Sequence, residues 1–223
     1  MSDIQHILFG NDGTIVDSEI IAVRTMLRML GASGLQLSER EYSHRFPGLR
    51  EREISDILKR DYGVVLSEDF WPAVRTEHIH LFEKELRVVP GMYRLFRSLK
   101  TAKSMVSNGS VQHVERSLRL VRLHGALDGQ IFSAEQVKRP KPFPDIYEFA
   151  LEKLQLRSHQ VIVVEDSATG VQAAKAAGLF VVGFLAAAHI HDGHEEMLRQ
   201  QGADLIAFDA KDLQRIFHQM HIQ

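Results

Sequence analysis

Side chains able to do chemistry gather at four places in this sequence. These are Gly10-Asn11-Asp12-Gly13-Thr14, Ser107-Asn108-Gly109, Lys141 within Arg139-Pro140-Lys141-Pro142, and Glu165-Asp166-Ser167. The carboxylates of Asp12, Glu165 and Asp166 suit a hard cation such as Mg2+, which takes oxygen ligands and waters. The Ser107 hydroxyl, the N–H groups beside it, Asn108 among them, and the Lys141 ammonium suit phosphate oxygens. A metal and a lysine around one phosphoryl group form the electrostatic clamp that phosphoryl transfer uses. Taken singly, each string has a plainer reading. Asp12-Gly13-Thr14 and Ser107-Asn108-Gly109 are turn sequences. Lys141 between prolines is a loop residue, and Glu165-Asp166 can cap a helix that starts at Ser167. Order and common placement carry the chemical reading.

That placement comes from the elements. Each string ends a short apolar run or lies just beyond one: Ile4–Phe9, Ser104–Val106, Val161–Val164 and Phe180–Phe184, with Gln130–Phe132 and Asp204–Ala207 as weaker runs. Apolar runs without alternation predict strands covered on both faces, hence a parallel sheet. Helical spacing lies between them, at Val114, Leu118 and Val121, at Ile146, Ala150 and Leu154, and over the Ala-rich stretch 168–177 that stops at Gly178. Strand and helix in alternation predict an α/β, doubly wound, three-layer Rossmann-like core. All strand ends of such a sheet point one way, so the four strings meet at one edge.

Residues 18–87 break the alternation and predict an inserted helical cap of roughly 70 residues, with the core formed by 1–17 and 88–223. Val23, Leu27 and Leu30 mark a first helix. Ser38-Glu39-Arg40-Glu41 is a capping-box pattern for a second, stopping near Pro47. Ile54, Ile57 and Leu58 mark a third. Ser67 is the candidate cap of a fourth, with Phe70, Val74 and Leu81 inward. An insertion after the first strand lies over the carboxyl ends of the strands, where open α/β sheets bind ligands.

Composition removes other classes. The chain has 223 residues, 44% hydrophobic and 25% charged, which is ordinary globular composition and about one and a half domains of length. Lys+Arg is 27 against 29 Asp+Glu, so there is no broad basic footprint for nucleic acid or acidic lipid. With no cysteine, thiol nucleophiles, disulfides and thiolate zinc sites are excluded. The amino-terminal residues show no signal-peptide pattern, and the longest apolar stretch, 178–188, falls short of a membrane span. A cytoplasmic monomer with a small-molecule partner, and neither nucleic acid nor membrane, is the expectation.

With these strings in place, the sequence resembles the haloacid dehalogenase superfamily, in particular its capped sugar-phosphate phosphatases and the β-phosphoglucomutase group. The resemblance is carried by Phe9-Gly10-Asn11-Asp12-Gly13-Thr14-Ile15-Val16-Asp17-Ser18-Glu19, Val106-Ser107-Asn108-Gly109, Lys141-Pro142-Phe143-Pro144-Asp145 and Val164-Glu165-Asp166-Ser167-Ala168-Thr169-Gly170. It implies a Mg2+ ion and an aspartyl-phosphate intermediate. By position it implies Asp12 as general acid/base and carbonyl ligand of Mg2+. It implies Ser107 and Lys141 as phosphate binders, Asp166 as a metal ligand, and Glu165 as a ligand reached directly or through water.

One departure outweighs the matches. The family pattern is Asp-x-Asp-Gly-Thr, with its first Asp the nucleophile, and that position here is Gly10. Asn11 points to the opposite face of an extended segment and is an amide, while Asp12 lies roughly 6–7 Å further along. Gly10 marks a natural pseudophosphatase, an engineered trap or a sequence error; the second oddity at Asn11 favours natural divergence. The expectation is a phosphatase scaffold for a small phosphorylated metabolite, inactive or severely impaired as it stands. The alternatives are a non-catalytic sensor of such a metabolite and a mutase, which needs the same missing Asp.

Weaker signals remain. His189, His191 and His194, with Asp192 and Glu195, superficially resemble a transition-metal site, but a polar loop is the preferred reading and a rim of the site mouth its alternative. Lys138 and Arg139 read as a solvated face. Arg45, Arg50 and Arg52 lie near Pro47-Gly48; Arg45, Arg50 and Glu19 are the candidate substrate-specificity residues, since Arg forks carboxylates well. Trp71 reads as packing.

Overall fold

The computed structural model describes residues 4–46 and 49–223. The chain forms two compact units, one from its two ends up to Asp17 and from Arg87 onward, the other from Ser18–Leu86. In chain order, β1 (His6–Gly10) is followed by the second unit's helices α1 (Glu19–Ala32), α2 (Glu39–Arg45), α3 (Glu51–Tyr62) and α4 (Phe70–Glu85). The first unit then resumes with α5 (Met92–Ser98), β2 (Ala102–Ser107), α6 (Val111–Leu120), β3 (Ile131–Ser133), α7 (Asp145–Leu154) and β4 (Val161–Glu165). It closes with α8 (Ala168–Ala176), β5 (Phe180–Phe184), α9 (His194–Gln200), β6 (Leu205–Ala207) and α10 (Ala210–Gln219).

The six strands form one parallel sheet in the order β3-β2-β1-β4-β5-β6. This is the doubly wound α/β sheet that the apolar runs predict, the two weaker runs included. Both β1 and β4 are buried along their whole length, because each strand face carries helices. On one face Phe9 packs against Phe96 of α5 at 5.4 Å and Phe217 of α10 at 6.4 Å between ring centroids. On the other, Leu8 and Val163 join Ile146, Tyr147 and Ala150 of α7 and Val171 and Ala174 of α8. The register pairs Gly10 with Val106 and Phe9 with Val164, so β1, β2 and β4 end side by side. Connections from β1 and β4 leave toward opposite edges of the sheet, which makes this edge the crevice where open α/β sheets hold ligands.

The helical unit has its own core of Met26, Leu30, Tyr42, Phe46, Ile54, Leu58, Phe70 and Val74. Ser38 caps α2 by accepting from Glu41 N–H at 3.1 Å. The reciprocal half of a capping box is replaced, because the Glu41 carboxylate takes the Tyr62 hydroxyl at 3.2 Å. Arg45 ends α2; Pro47, the predicted stop, lies outside the described residues. Helix α4 starts later than predicted, with Asp69 and not Ser67 at its cap. Pro72 explains the tolerance for an early proline, since N–H groups of the first turn have no intrahelical partner. Trp71 donates to Ser55 Oγ at 3.1 Å and packs edge-on against Phe70. No helix among the described residues is long and apolar enough to cross a membrane.

Candidate active site

The loop leaving β1 is built by its own backbone. Asn11 C=O accepts from both Ile15 and Val16 N–H, and Gly13 N–H donates to Val16 C=O at 2.8 Å. Gly13 has φ +75°, and a Cβ there would fall 1.9 Å from Asp166 Oδ2, so only glycine fits this turn. Thr14, fully buried, donates its hydroxyl to Asp166 Oδ1 at 2.7 Å. The loop is thus locked onto the end of β4.

Gly10 and Asn11 face different neighbours, as an extended chain requires. A Cβ on Gly10 would point at Thr14 Oγ1, 2.7 Å away, and at the Glu165 carboxyl, 3.2 Å away. Asn11 is buried against α6, where its Oδ1 accepts from Ser117 Oγ at 3.1 Å; its Nδ2 has no partner among the described residues. Asp12 takes His113 Nε2–H on Oδ1 at 3.1 Å, so the first turn of α6 reaches the β1 loop.

The loop leaving β2 is a tight turn in which Gly109 N–H donates to Ser107 Oγ at 2.9 Å. Ser133 Oγ, from the neighbouring strand, holds Gly109 C=O at 2.8 Å. Ser110 caps α6 by accepting from His113 N–H, which sets the His113 ring beside Gly109. Asn108 uses both ends of its amide on the Lys141 backbone: Oδ1 accepts from Lys141 N–H at 2.9 Å and Nδ2 donates to Lys141 C=O at 3.2 Å.

Lys141 and Glu165 are a buried ion pair, with side chains 5% and 3% exposed. Lys141 Nζ also donates to Val106 C=O at 3.0 Å. Glu165 accepts in addition from Tyr147 Oη at 3.1 Å and from Ser167 Oγ at 3.0 Å. Burial first, and then the Glu165 charge, push the Tyr147 phenol well above its usual pKa, so it remains a donor. Room for Glu165 comes from Gly170, where a Cβ would fall 2.2 Å from the Glu165 carboxyl carbon.

Of the histidine stretch, His189 and His191 lie in the loop after β5, as the polar-loop expectation has it, and His194 departs from that expectation. His194 opens α9, is buried, and donates Nε2–H to Asp166 C=O at 2.7 Å. Desolvation is the main cause that lowers its pKa. His189 Nε2 approaches Asp166 Oδ2 at 3.4 Å. The segment that carries it is tied back by Ala188 N–H to the Asp17 carboxylate at 3.0 Å.

One sheet edge therefore brings together Gly10, Asp12, Ser107, Asn108, Lys141, Glu165 and Asp166. The residue pattern within residues 7–184 matches the family model described as haloacid dehalogenase-like hydrolase. The chain belongs to the haloacid dehalogenase-like hydrolase family. Among its relatives, 6-phosphogluconate phosphatase of Escherichia coli strain K12 is 32% identical over 190 residues, 85% of this chain and 86% of that protein. The phosphorylated carbohydrates phosphatase of Thermotoga maritima is 29% identical over 180 residues, 79% of this chain and 82% of that one. A solved haloacid dehalogenase family hydrolase from Deinococcus radiodurans R1, with bound phosphate and sodium, superposes with a TM-score of 0.91 at 26% identity, covering 99% of this chain and 98% of that chain.

The Mg2+ that the family implies meets a poor donor set here. Gly10 offers no side chain. Glu165 is held by Lys141, Tyr147 and Ser167. Asp166 accepts from Thr14 on one oxygen, faces His189 on the other, and gives its carbonyl to His194. No group of three His, Cys, Asp or Glu that could hold a metal ion by itself occurs among the described residues, the histidines at 189–194 included.

Three of the expected site residues belong to the helical unit. Arg45 is spent on Asp61 and on the Tyr62 hydroxyl at 3.1 Å. Arg50 precedes α3 and gives its N–H to Glu53 at 2.7 Å, leaving an exposed side chain; Glu19 is the exposed first residue of α1. The sequence reading misses His113 and Tyr147. For His113 a signal existed, a Ser110 cap placing it on a first turn just beyond Ser107-Asn108-Gly109. Tyr147 carries none, since it sits among the apolar positions of α7.

Proposed function

We propose that this chain binds a small phosphorylated metabolite, a sugar phosphate or sugar-acid phosphate, on a phosphatase scaffold that has lost its attacking carboxylate. The observation that carries this reading is Gly10, at the strand end where the family places the nucleophile, beside a retained phosphate side made of Ser107 and Lys141. The Ser107 hydroxyl, the N–H groups of its turn and the Lys141 ammonium would meet the phosphate oxygens. The relatives named for 6-phosphogluconate and phosphorylated carbohydrates point to the ligand class.

With aspartate at position 10, its carboxylate would attack phosphorus and break the bond to the sugar oxygen, which would leave as an alcohol with a proton from Asp12; Asp12 would then take a proton from the water that attacks the phospho-aspartate, releasing orthophosphate and restoring the carboxylate. Glycine cannot begin that sequence, and losing one member of such a constellation costs about 10⁴-fold or more. Mg2+-dependent hydrolysis and β-phosphoglucomutase-like transfer both need the same carboxylate, so both belong to a Gly10→Asp form.

The test pairs calorimetry against a panel of sugar phosphates and sugar-acid phosphates with a p-nitrophenyl phosphate assay in Mg2+. Binding by the chain, background hydrolysis, and a rate that rises in Gly10→Asp are the expected results. A robust rate from the Gly10 protein, or no binding to any phosphate compound, would overturn the reading.

A further inference from the structure

We infer that this chain has lost the family's divalent-cation site, and that its own basic side chains balance the carboxylates an ion would otherwise neutralise. A hard divalent ion needs anionic oxygens that are free to turn toward it. Glu165 is enclosed by Lys141 Nζ, Tyr147 Oη and both donors of Ser167, and the absence of a Cβ at Gly170 lets it lie back against the start of α8. Asp166 places Oδ1 on Thr14, Oδ2 near His189 and its carbonyl on His194, so all three of its oxygens face donors of this chain.

Gly10 is the root of this arrangement. A carboxylate there would project beside Thr14 Oγ1 and the Glu165 carboxyl, and would add the anionic charge that makes an ion worth its dehydration. Without it, Lys141 pairs with Glu165 and His189 stands at Asp166, the position from which a divalent ion would be held. The three atoms nearest to a Cβ at Gly10 belong to the side chains of Thr14 and Glu165, so an aspartate there requires those two side chains to shift.

The experiment titrates Mn2+ into the intact protein and reads free Mn2+ by electron paramagnetic resonance, with and without orthophosphate, beside the Tm in Mg2+ and in EDTA. The expected result is no stoichiometric binding up to about 1 mM Mn2+ and a Tm that neither additive moves. The same titration of Gly10→Asp, shown to be folded by circular dichroism, is expected to gain one Mn2+ per chain. One Mn2+ bound per chain by the unaltered protein at about 0.1 mM would overturn the inference. A folded Gly10→Asp protein that still binds none would overturn the assignment of the loss to position 10. Neither readout depends on turnover or on a sugar phosphate, so failure of the proposed ligand class leaves the inference testable.

Discussion

Asn108 holds Lys141 by both ends of one amide, accepting from its N–H at 2.9 Å and donating to its C=O at 3.2 Å. The two residues are 33 positions apart, and this clasp joins the turn after β2 to the loop that carries the Lys141 ammonium. Asn108 thereby acts as a positioning residue whose side chain is spent before any ligand arrives. Two neutral hydrogen bonds are worth about 1–3 kcal/mol together. Asn108→Ala should therefore lower stability by that order and weaken phosphate binding about tenfold, read by urea unfolding and calorimetry. Asn108→Asp keeps the acceptor and loses the donor, so it should fall between. Unchanged phosphate affinity in both variants would remove the positioning role.

The strand ends were legible because each polar string follows an apolar run too short and unbroken to be anything but a buried strand. Asp12, Ser107, Lys141, Glu165 and Asp166 could be assigned to one edge on that ground alone. Tyr147 could not, because a tyrosine among the apolar positions of a helix has no chemical signature until tertiary packing brings it to a carboxylate; His113 and His194 carried only weaker signals, the Ser110 cap and the histidine stretch. The helices α5 and α9, seven residues each, are too short for their spacing to stand out. Helix α10 does show the pattern, with Asp209 accepting from Lys211 and Asp212 N–H and with Leu213 and Phe217 one turn apart. For a metal, residue types indicate what could ligate, whereas hydrogen-bond partners decide what is free to do so.

Gly170 lies inside α8, where alanine ordinarily stabilises a helix by about 1 kcal/mol over glycine. Here the sign should reverse. A Cβ would sit 2.2 Å from the Glu165 carboxyl carbon and 2.3 Å from Oε2, in a buried position. Glu165 would have to leave Ser167 or Lys141. Gly170→Ala should lose about 2–3 kcal/mol in urea unfolding, the order of a disrupted buried polar network. Gly125→Ala, with open space around the added Cβ, serves as the neutral control. A stabilised Gly170→Ala would show that Glu165 moves aside at no cost.

His6 predicts an acid-side loss of stability. It begins β1, is 5% exposed, and faces the Ser104 hydroxyl at 2.8 Å through Nε2. Burial is the main cause that lowers its pKa from 6.5 to about 4; Asp128 opposes the shift and Lys103 adds to it. The fold therefore favours neutral His6. Its contribution is fully present above pH 6.5 and is lost as pH falls from there toward about 4. The whole shift corresponds to about 3 kcal/mol. The urea midpoint should drop between pH 7.5 and 5, and His6→Asn should remove that part of the slope. An identical slope in the variant would place the acid sensitivity elsewhere.

The Lys141–Glu165 pair can be separated into its charge and its contacts. Both side chains are almost wholly buried, so each charge depends on the other. Lys141→Met would leave Glu165 with only Tyr147 and Ser167 as donors, and removing one partner of a buried pair costs about 3–5 kcal/mol. Adding Glu165→Gln removes the stranded charge; its amide oxygen can keep the Tyr147 contact, and its NH2 group can donate to Ser167 Oγ in place of the carboxylate oxygen that accepts from it. The double variant should regain more than half of that loss, though it should not bind phosphate. Tyr147→Phe, which deletes one hydrogen bond and leaves the ion pair, should cost only about 1 kcal/mol. Urea unfolding of these three variants and of Glu165→Gln alone is decisive. Additive losses in the double variant would mean that Lys141 and Glu165 are not energetically coupled, and would count against a lysine held in place by that carboxylate.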